Sequence, residues 1–278
     1  MDKDLHHRGF PLSNLPSNSA GTRLQDIDNI KIVLLGKTGV GKSSTGNTIL
    51  GENVFECGKR LKSVTQKSEV KNSFVEGRHV SVVDTPGFFD TTLPEEELAV
   101  EIAKSVFLSA PGPHAFLFVL PFDRFTEQEE EVLEEIKMIF GQDVLKFLIL
   151  LFTNGDDVDL EAFKSEVNEH EKLRKIVERC QGYHIFNKDQ TNRQQVTDLL
   201  QKIDTMIQQN EGKQYTNEMF KEAKQIKQDE EEKKKDQERC RCFGCCCSCG
   251  FKRFWQNFKD FFRNIARKLH KKRDYKRL

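Results

Sequence analysis

Ile30-Lys-Ile-Val-Leu-Leu35 runs directly into Gly36-Lys-Thr-Gly-Val-Gly41-Lys42-Ser43, and the order of these two pieces decides the fold. The first is a short apolar run of the kind that forms a strand covered on both faces. The second is a glycine-rich turn that ends in Lys-Ser and opens a stretch of helical character. Its glycines let backbone N–H groups turn inward around phosphate oxygens. Lys42 would neutralise β- and γ-phosphate charge, and the Ser43 hydroxyl suits a magnesium ligand. Gly36, Lys37, Thr38, Gly39, Val40, Gly41, Lys42, Ser43 and Ser44 are therefore the candidate phosphate-binding residues.

Working outward, Val80–Val83, Ala115–Leu120 and Phe147–Phe152 are further continuous apolar runs. Residues 67–75 alternate weakly and end at Glu76-Gly77, a hairpin signal, and Tyr183–Phe186 fits a last short strand. Helical stretches fall roughly at 43–51, 95–109, 126–140, 159–179 and 190–209. This alternation predicts an α/β domain with a mostly parallel sheet between two helical layers, followed by a helical C-terminal extension. The expected organisation is a leader at 1–27, a nucleotide-binding domain at 28–210, a charged helix or linker at 211–239, and a tail at 240–278.

The base is read from the next two motifs. Asp84-Thr-Pro-Gly87 ends an apolar strand, which sets Asp84 beside the magnesium and the Gly87 amide near a γ-phosphate. The Asp-x-x-Gly spacing favours the GTPase branch over ATP-driven enzymes. Phe147–Phe152 then leads into Thr153-Asn154-Gly155-Asp156-Asp157, where GTPases carry Asn-Lys-x-Asp. Asn154 and Asp157 fill the outer positions, and the Asp157 carboxylate would accept from guanine N1–H and the 2-amino group. Gly155 replaces the Lys, so the aliphatic stem over the base is lost. An acidic turn serving only as a helix N-cap is the alternative for Asp156 or Asp159. A further hydroxyl should complete the magnesium shell; of Ser63, Thr65 and Ser68, Thr65 is preferred.

Pro111-Gly-Pro-His114-Ala before an apolar strand, then Asp123-Arg-Phe-Thr-Glu127, Phe140-Gly141, Leu151-Phe-Thr153, and Cys180 before Phe186-Asn187 together resemble the immunity-associated nucleotide-binding GTPases, the GIMAP or IAN family. This family is related to septins and to chloroplast outer-envelope import GTPases. The resemblance covers roughly residues 28–210. It implies a P-loop GTPase (Ras-like) domain with extra helical elements, nucleotide-dependent dimerisation across the nucleotide face, and often membrane attachment at the C-terminus, while the motifs themselves call for GTP or GDP with Mg²⁺. It makes Asn187 the base-side residue of the last guanine loop. Family members usually carry two Asn there, and this chain has Asn187-Lys188.

Efficient small GTPases place Gln directly after Asp-x-x-Gly to orient the attacking water. Phe88 stands there instead, which predicts slow hydrolysis by one chain alone. Lys42 and Thr65 remain the catalytic candidates within the chain. A cation supplied by a partner could accelerate turnover, and Lys104 is the first candidate, with Arg124 the second; a solvated helix cation is the bland alternative for each. His114 is read as a structural histidine rather than a catalytic one. A GTP-held scaffold with negligible turnover is the competing class.

The formal net charge is zero, but it is segregated. Residues 240–278 hold 12 Lys/Arg against two Asp/Glu, which leaves 32 against 42 in the first 239 residues. Cys240, Cys242, Cys245, Cys246, Cys247 and Cys249 precede a helical repeat of Phe251, Phe254, Trp255, Phe258, Phe261, Phe262, Ile265 and Leu269 interleaved with Lys and Arg. Acylated cysteines, an amphipathic aromatic helix and the closing Lys271-Lys-Arg273 cluster would give three membrane signals, and two are needed for stable attachment. Zinc binding by the thiols and nucleic acid as the anionic partner are the alternatives. No base-reading module is present, so nucleic acid is not expected. The N-terminus has no hydrophobic core of a signal peptide, no Gly follows Met1, and no apolar run approaches the roughly 20 residues of a membrane span. The expected location is the cytoplasmic face of a membrane, with a cytosolic pool.

Overall fold

The computed structural model describes residues 29–221 except 59–64, 66, 89–94, 123–124, 157–158 and 219, together with residues 224, 228 and 260. The leader, the six tail cysteines, Asp157, Arg124 and Ser63 lie outside the described residues.

The elements alternate as β1 (Asn29–Leu35), α1 (Lys42–Leu50), β2 (Glu69–Val75), β3 (Arg78–Asp84), α2 (Glu95–Ser109), β4 (Ala115–Pro121) and α3 (Glu127–Phe140). A 3-10 turn at Gln142–Phe147 leads to β5 (Leu148–Thr153), α4 (Leu160–Glu169), α5 (Glu171–Arg179), β6 (Tyr183–Ile185) and α6 (Gln194–Gln209). The six strands lie in the order β2-β3-β1-β4-β5-β6. Only β2 runs antiparallel, joined to β3 through Glu76-Gly77, both at positive φ as a two-residue hairpin turn requires. From Ala115 to Leu120 in β4 and from Leu148 to Phe152 in β5 every residue is buried. Successive side chains point to opposite faces of a sheet, so these strands are covered on both sides. The continuous apolar runs in the sequence have that cause.

Two boundaries differ from the sequence reading. The stretch 159–179 is two helices, broken at His170, whose ring accepts from the Leu173 N–H at 3.2 Å and so caps α5. Phe147 closes the 3-10 turn instead of opening β5.

Packing also continues past residue 210, where composition turns polar. Tyr215 and Phe220 are buried, and the Tyr215 ring meets Phe116, Phe147 and Phe220 edge-on. The Tyr215 N–H donates to the Pro113 carbonyl at 2.9 Å, and its hydroxyl donates to the Phe140 carbonyl. The Pro-Gly-Pro-His box forms the seat for this segment. A Cβ on Gly112 would stand 1.9 Å from the Tyr215 carbonyl oxygen, so the two backbones meet closely only because residue 112 lacks one. His114 accepts from the Lys31 N–H through Nδ1 at 2.9 Å, and its Nε2 lies 3.0 Å from the Gln214 side-chain amide. Burial, helped by the Lys31 charge, holds His114 down at about 4, so it is neutral at pH 7. The histidine serves packing, at the end of β4 remote from the P-loop.

Candidate nucleotide-binding site

The chain leaves β1 for β3 on one side and reaches β4 on the other, so β1 is the switch point of the sheet. In open α/β sheets ligands bind beyond the carboxyl ends of the strands at such a point. Here β1 ends at Leu35, and Gly36–Gly41 turn back to start α1 at Lys42. Gly39 and Gly41 take left-handed backbone conformations, with φ of 83° and 97°. A cavity of about 610 Å³ opens there. Thr38 to Ser44, Thr65, Gly87, Thr153, Asn154, Asn187, Lys188 and Gln190 contribute to its lining, with Glu56, Cys57 and Phe186.

On the phosphate side, Lys42 is buried and its ammonium donates to the Lys37 and Gly36 carbonyls at 2.7 and 3.2 Å. Thr153 Oγ1 donates to the Val40 carbonyl at 3.0 Å, which ties the P-loop to the end of β5. The Lys37 side chain points elsewhere, 2.9 Å from Glu129 at the start of α3 and 2.8 Å from Gln128. Burial pushes the Glu129 carboxyl up, but the Thr126 hydroxyl and the Lys37 ammonium hold it below the ordinary range. Gly36 and Lys37 thus support the loop and do not line the cavity.

Three oxygens converge where the sequence places a cation. Ser43 Oγ donates to Asp84 Oδ2 at 2.5 Å, Ser43 and Thr65 hydroxyls are 2.9 Å apart, and Thr65 Oγ1 is 3.3 Å from the same carboxylate oxygen. Burial pushes the Asp84 carboxyl up, opposed by the Ser43 hydroxyl and the Lys42 charge. Its second oxygen, Oδ1, is buried without a hydrogen-bond partner among the described residues. A buried carboxylate oxygen without a donor is costly, and a set of hard oxygens suits Mg²⁺. The residues fit that ion. Ser68, the third hydroxyl considered, instead donates to the Glu101 carbonyl at 2.7 Å.

The Asp-x-x-Gly turn lies against the P-loop. The Phe88 N–H donates to the Gly36 carbonyl at 3.0 Å, and a Cβ on Gly87 would stand 2.2 Å from Thr38 Oγ1. The Phe88 side chain is buried and has no polar atom to offer a water in the site. Lys104 does not line the cavity; it lies on α2, 3.6 Å from Glu101.

On the base side, Asn154 is exposed at a left-handed φ of 64°. Asn187 Oδ1 is buried, again without a hydrogen-bond partner among the described residues, and the residue lines the cavity. Asp159 is the N-cap of α4, accepting from the Glu161 and Ala162 N–H groups. Asp156 instead bonds Lys188. Sequence reasoning missed Gln190, which lines the cavity, and Arg193, which lies behind it on the last turn of α1. These two belong to no spacing pattern, and only the packing of the loop after β6 on α1 brings them there.

A P-loop between the first strand and helix, a carboxylate closing β3 and base-side loops after β5 and β6 define the class: this is a P-loop GTPase fold. The chain belongs to the AIG1 family, whose model matches residues 30–235. Immune-associated nucleotide-binding protein 9 of Arabidopsis thaliana is 34% identical over 206 residues, 70% of this chain and 60% of that protein. GTPase IMAP family member 8 of Homo sapiens is 31% identical over 196 residues, 69% of this chain and 30% of that protein. The chain therefore spans less than two thirds of the length of either relative. Among solved structures, Toc33 from Arabidopsis thaliana in complex with Mg²⁺ and GMPPNP superposes with a TM-score of 0.52 at 18% identity, covering 66% of this chain and 86% of that one. A second structure concerns the importance of dimerization for the GTPase activity of chloroplast translocon components atToc33 and psToc159. It gives a TM-score of 0.51 at 17% identity, covering 65% of this chain and 84% of that one. At these identities the structural likeness carries the fold.

Proposed function

We propose that this chain binds GTP and GDP with Mg²⁺ and hydrolyses GTP slowly. The observation that carries the reading is the buried Asp84 oxygen left without a donor beside Ser43 and Thr65, at the mouth of a P-loop. Ser43 and Thr65 would hold the ion, with Asp84 acting through water. Lys42 would bind the β- and γ-phosphates, and Asn154, Asp157 and Asn187 would read guanine. When bound, Mg²⁺ supplies charge that neutralises the phosphates.

Hydrolysis by one chain is slow because Phe88 has no polar atom to orient water, and its ring is buried. Self-association across the nucleotide face would raise the rate, as the dimerization reported for the Toc components suggests. Lys104 is the first candidate for the cation given in trans, a contribution of about 10³–10⁵ in rate where such a cation operates. Residues 28–210 would be the nucleotide domain and 211–239 a charged helix or linker, whose first part packs on the domain through Tyr215 and Phe220. The tail at 240–278 would hold the protein on the cytoplasmic face of a membrane through acylated Cys240, Cys242, Cys245, Cys246, Cys247 and Cys249 and its basic aromatic helix. Among the described residues no helix is long and apolar enough to cross a membrane. The burial of Phe88 also favours a second reading, a GTP-held membrane scaffold with negligible turnover.

Titration of the full chain with labelled GTP, GDP and ATP, with turnover followed as protein concentration rises, tests both. Guanine-selective binding with specific activity climbing with concentration supports the dimer-activated GTPase. Binding with flat, negligible turnover supports the scaffold, and absence of guanine selectivity refutes both.

A further inference from the structure

The loop after β6, Asn187–Arg193, is tied at both ends to other parts of the nucleotide site. At its start the Lys188 backbone N–H donates to Asp156 Oδ1 at 2.6 Å, and the Lys188 ammonium stands 3.0 Å from Asp156 Oδ2. One carboxylate in the loop after β5 thus takes two bonds from the loop after β6. The Gly155 N–H adds a bond to the Phe186 carbonyl at 3.0 Å along the same seam.

At the far end the Arg193 guanidinium donates to the Thr48 carbonyl at 2.5 Å and the Ile49 carbonyl at 3.1 Å. Both carbonyls belong to the last turn of α1, where intrahelical partners run out and the helix dipole is negative. A planar, forked cation suits two adjacent carbonyls in a way that a lysine ammonium does not. Between these ends Gln190 Nε2 donates to Ser44 Oγ at 3.1 Å. The other end of α1 carries Lys42 and Ser43. The base-side loop is therefore braced on the helix that grips phosphate.

A nucleotide spans both regions, and a site whose two halves keep a fixed separation loses less freedom on binding. We infer that Asp156, Lys188 and Arg193 are positioning residues that hold the base-side loop against α1 and so set how long a guanine nucleotide stays bound. The inference rests on the guanine-nucleotide reading of the site and extends it to Arg193, outside every GTPase motif, and to Asp156 and Lys188, which sit within the base-side motifs at positions that do not touch the base in that reading. The Asp156–Lys188 pair is exposed, with 69% of the Lys188 side chain and 30% of the Asp156 side chain accessible, so its effect is modest. Arg193 makes its two bonds in a partly buried setting, so its effect is larger.

The test is release of fluorescent GDP from the full chain, chased with excess GDP in the presence of Mg²⁺. Asp156→Ala loses both the backbone bond and the ion pair and should speed release about 3- to 5-fold, with Lys188→Ala, which keeps the backbone bond, below it. The double variant should be no faster than Asp156→Ala alone, and the exchanged pair Asp156→Lys with Lys188→Asp should recover the ion-pair share of slow release only, because a lysine does not accept from the residue 188 backbone N–H. Lys188→Arg should stay near the wild-type rate. Arg193→Ala should speed release at least about tenfold, with Arg193→Lys between. Additive effects of the two single changes, or no recovery in the exchanged pair, would overturn the Asp156–Lys188 link. If Arg193→Ala lowers the unfolding temperature but leaves release unchanged, it is a helix cap only and the coupling is refuted. A wild-type chain without guanine-selective binding would remove the functional reading itself, and the first titration reveals it before any variant is made.

Discussion

The Ser43 hydroxyl donates to Asp84 Oδ2 at 2.5 Å, although 41 positions separate the two residues in the chain. They meet because β1 and β3 are parallel neighbours, so the helix that follows one strand starts beside the last residue of the other. The contact satisfies one oxygen of a buried carboxylate. The other is buried without a hydrogen-bond partner among the described residues, which is costly for a carboxylate.

Replacing Asp84 should therefore separate stability from binding. Burial raises the Asp84 pKa in the folded chain, so the folded state holds this proton more tightly than the unfolded state. The stability tied to that proton is fully present below the unfolded value and is lost as pH rises through the folded one. Asp84→Asn should make the nucleotide-free, Mg²⁺-free chain more resistant to heat at pH 8, with a smaller difference at low pH. Mg²⁺-dependent nucleotide binding should be lost. Unfolding temperatures in chelator at several pH values, with a binding titration, check both halves; a variant less stable than wild type at pH 8 would contradict the argument.

Lys42→Ala removes a buried ammonium aimed at the turn that cradles phosphate. Charge-assisted bonds contribute about 1.5–3 kcal/mol each, so affinity for GTP should fall about 10- to 100-fold. Isothermal titration measures it, and an affinity within twofold of wild type would take Lys42 out of the phosphate site.

Phe88→Gln restores the residue type that efficient small GTPases carry, yet it should not restore rapid hydrolysis. The Phe88 side chain is buried and its N–H is held by Gly36. A glutamine there would bury an amide in an apolar setting, with an expected loss of about 2–4 kcal/mol. Urea unfolding reads the loss, and single-turnover hydrolysis reads the rate. A large rise in rate without a stability loss would mean that this turn rearranges on binding GTP.

Gly112→Ala places a methyl group into the Tyr215 carbonyl and should cost about 1–3 kcal/mol. Tyr215→Phe removes the hydroxyl bonded to the Phe140 carbonyl and should cost about 1 kcal/mol. Both should raise hydrogen exchange in residues 214–220 while leaving nucleotide affinity unchanged, because the seat lies at the opposite end of the sheet from the P-loop. Equal loss of nucleotide affinity would show that the two ends are coupled.

Local sequence determined the elements that need only their own residues. The run Ile30–Leu35 is apolar because both faces of its strand are covered, and Gly36–Ser43 spells a phosphate loop because that loop is built from consecutive backbone groups. Thr126 and Glu129 start α3 within one turn, the Thr126 N–H donating to Glu129 at 3.0 Å. Tertiary structure decided what depends on separate strands coming together. Arg193 and Lys188 sit in a polar stretch with no periodicity, and they gain meaning only when the order β1-β4-β5-β6 carries that stretch to α1 and Asp156. Tyr215 and Phe220 look like isolated aromatics among charges, but the seat for this segment is made by Gly112 and Pro113 before β4 and Phe140 at the end of α3. Backbone chemistry and hydrophobic period are written along the sequence, whereas a partner a hundred residues away is chosen only by the packing of the sheet.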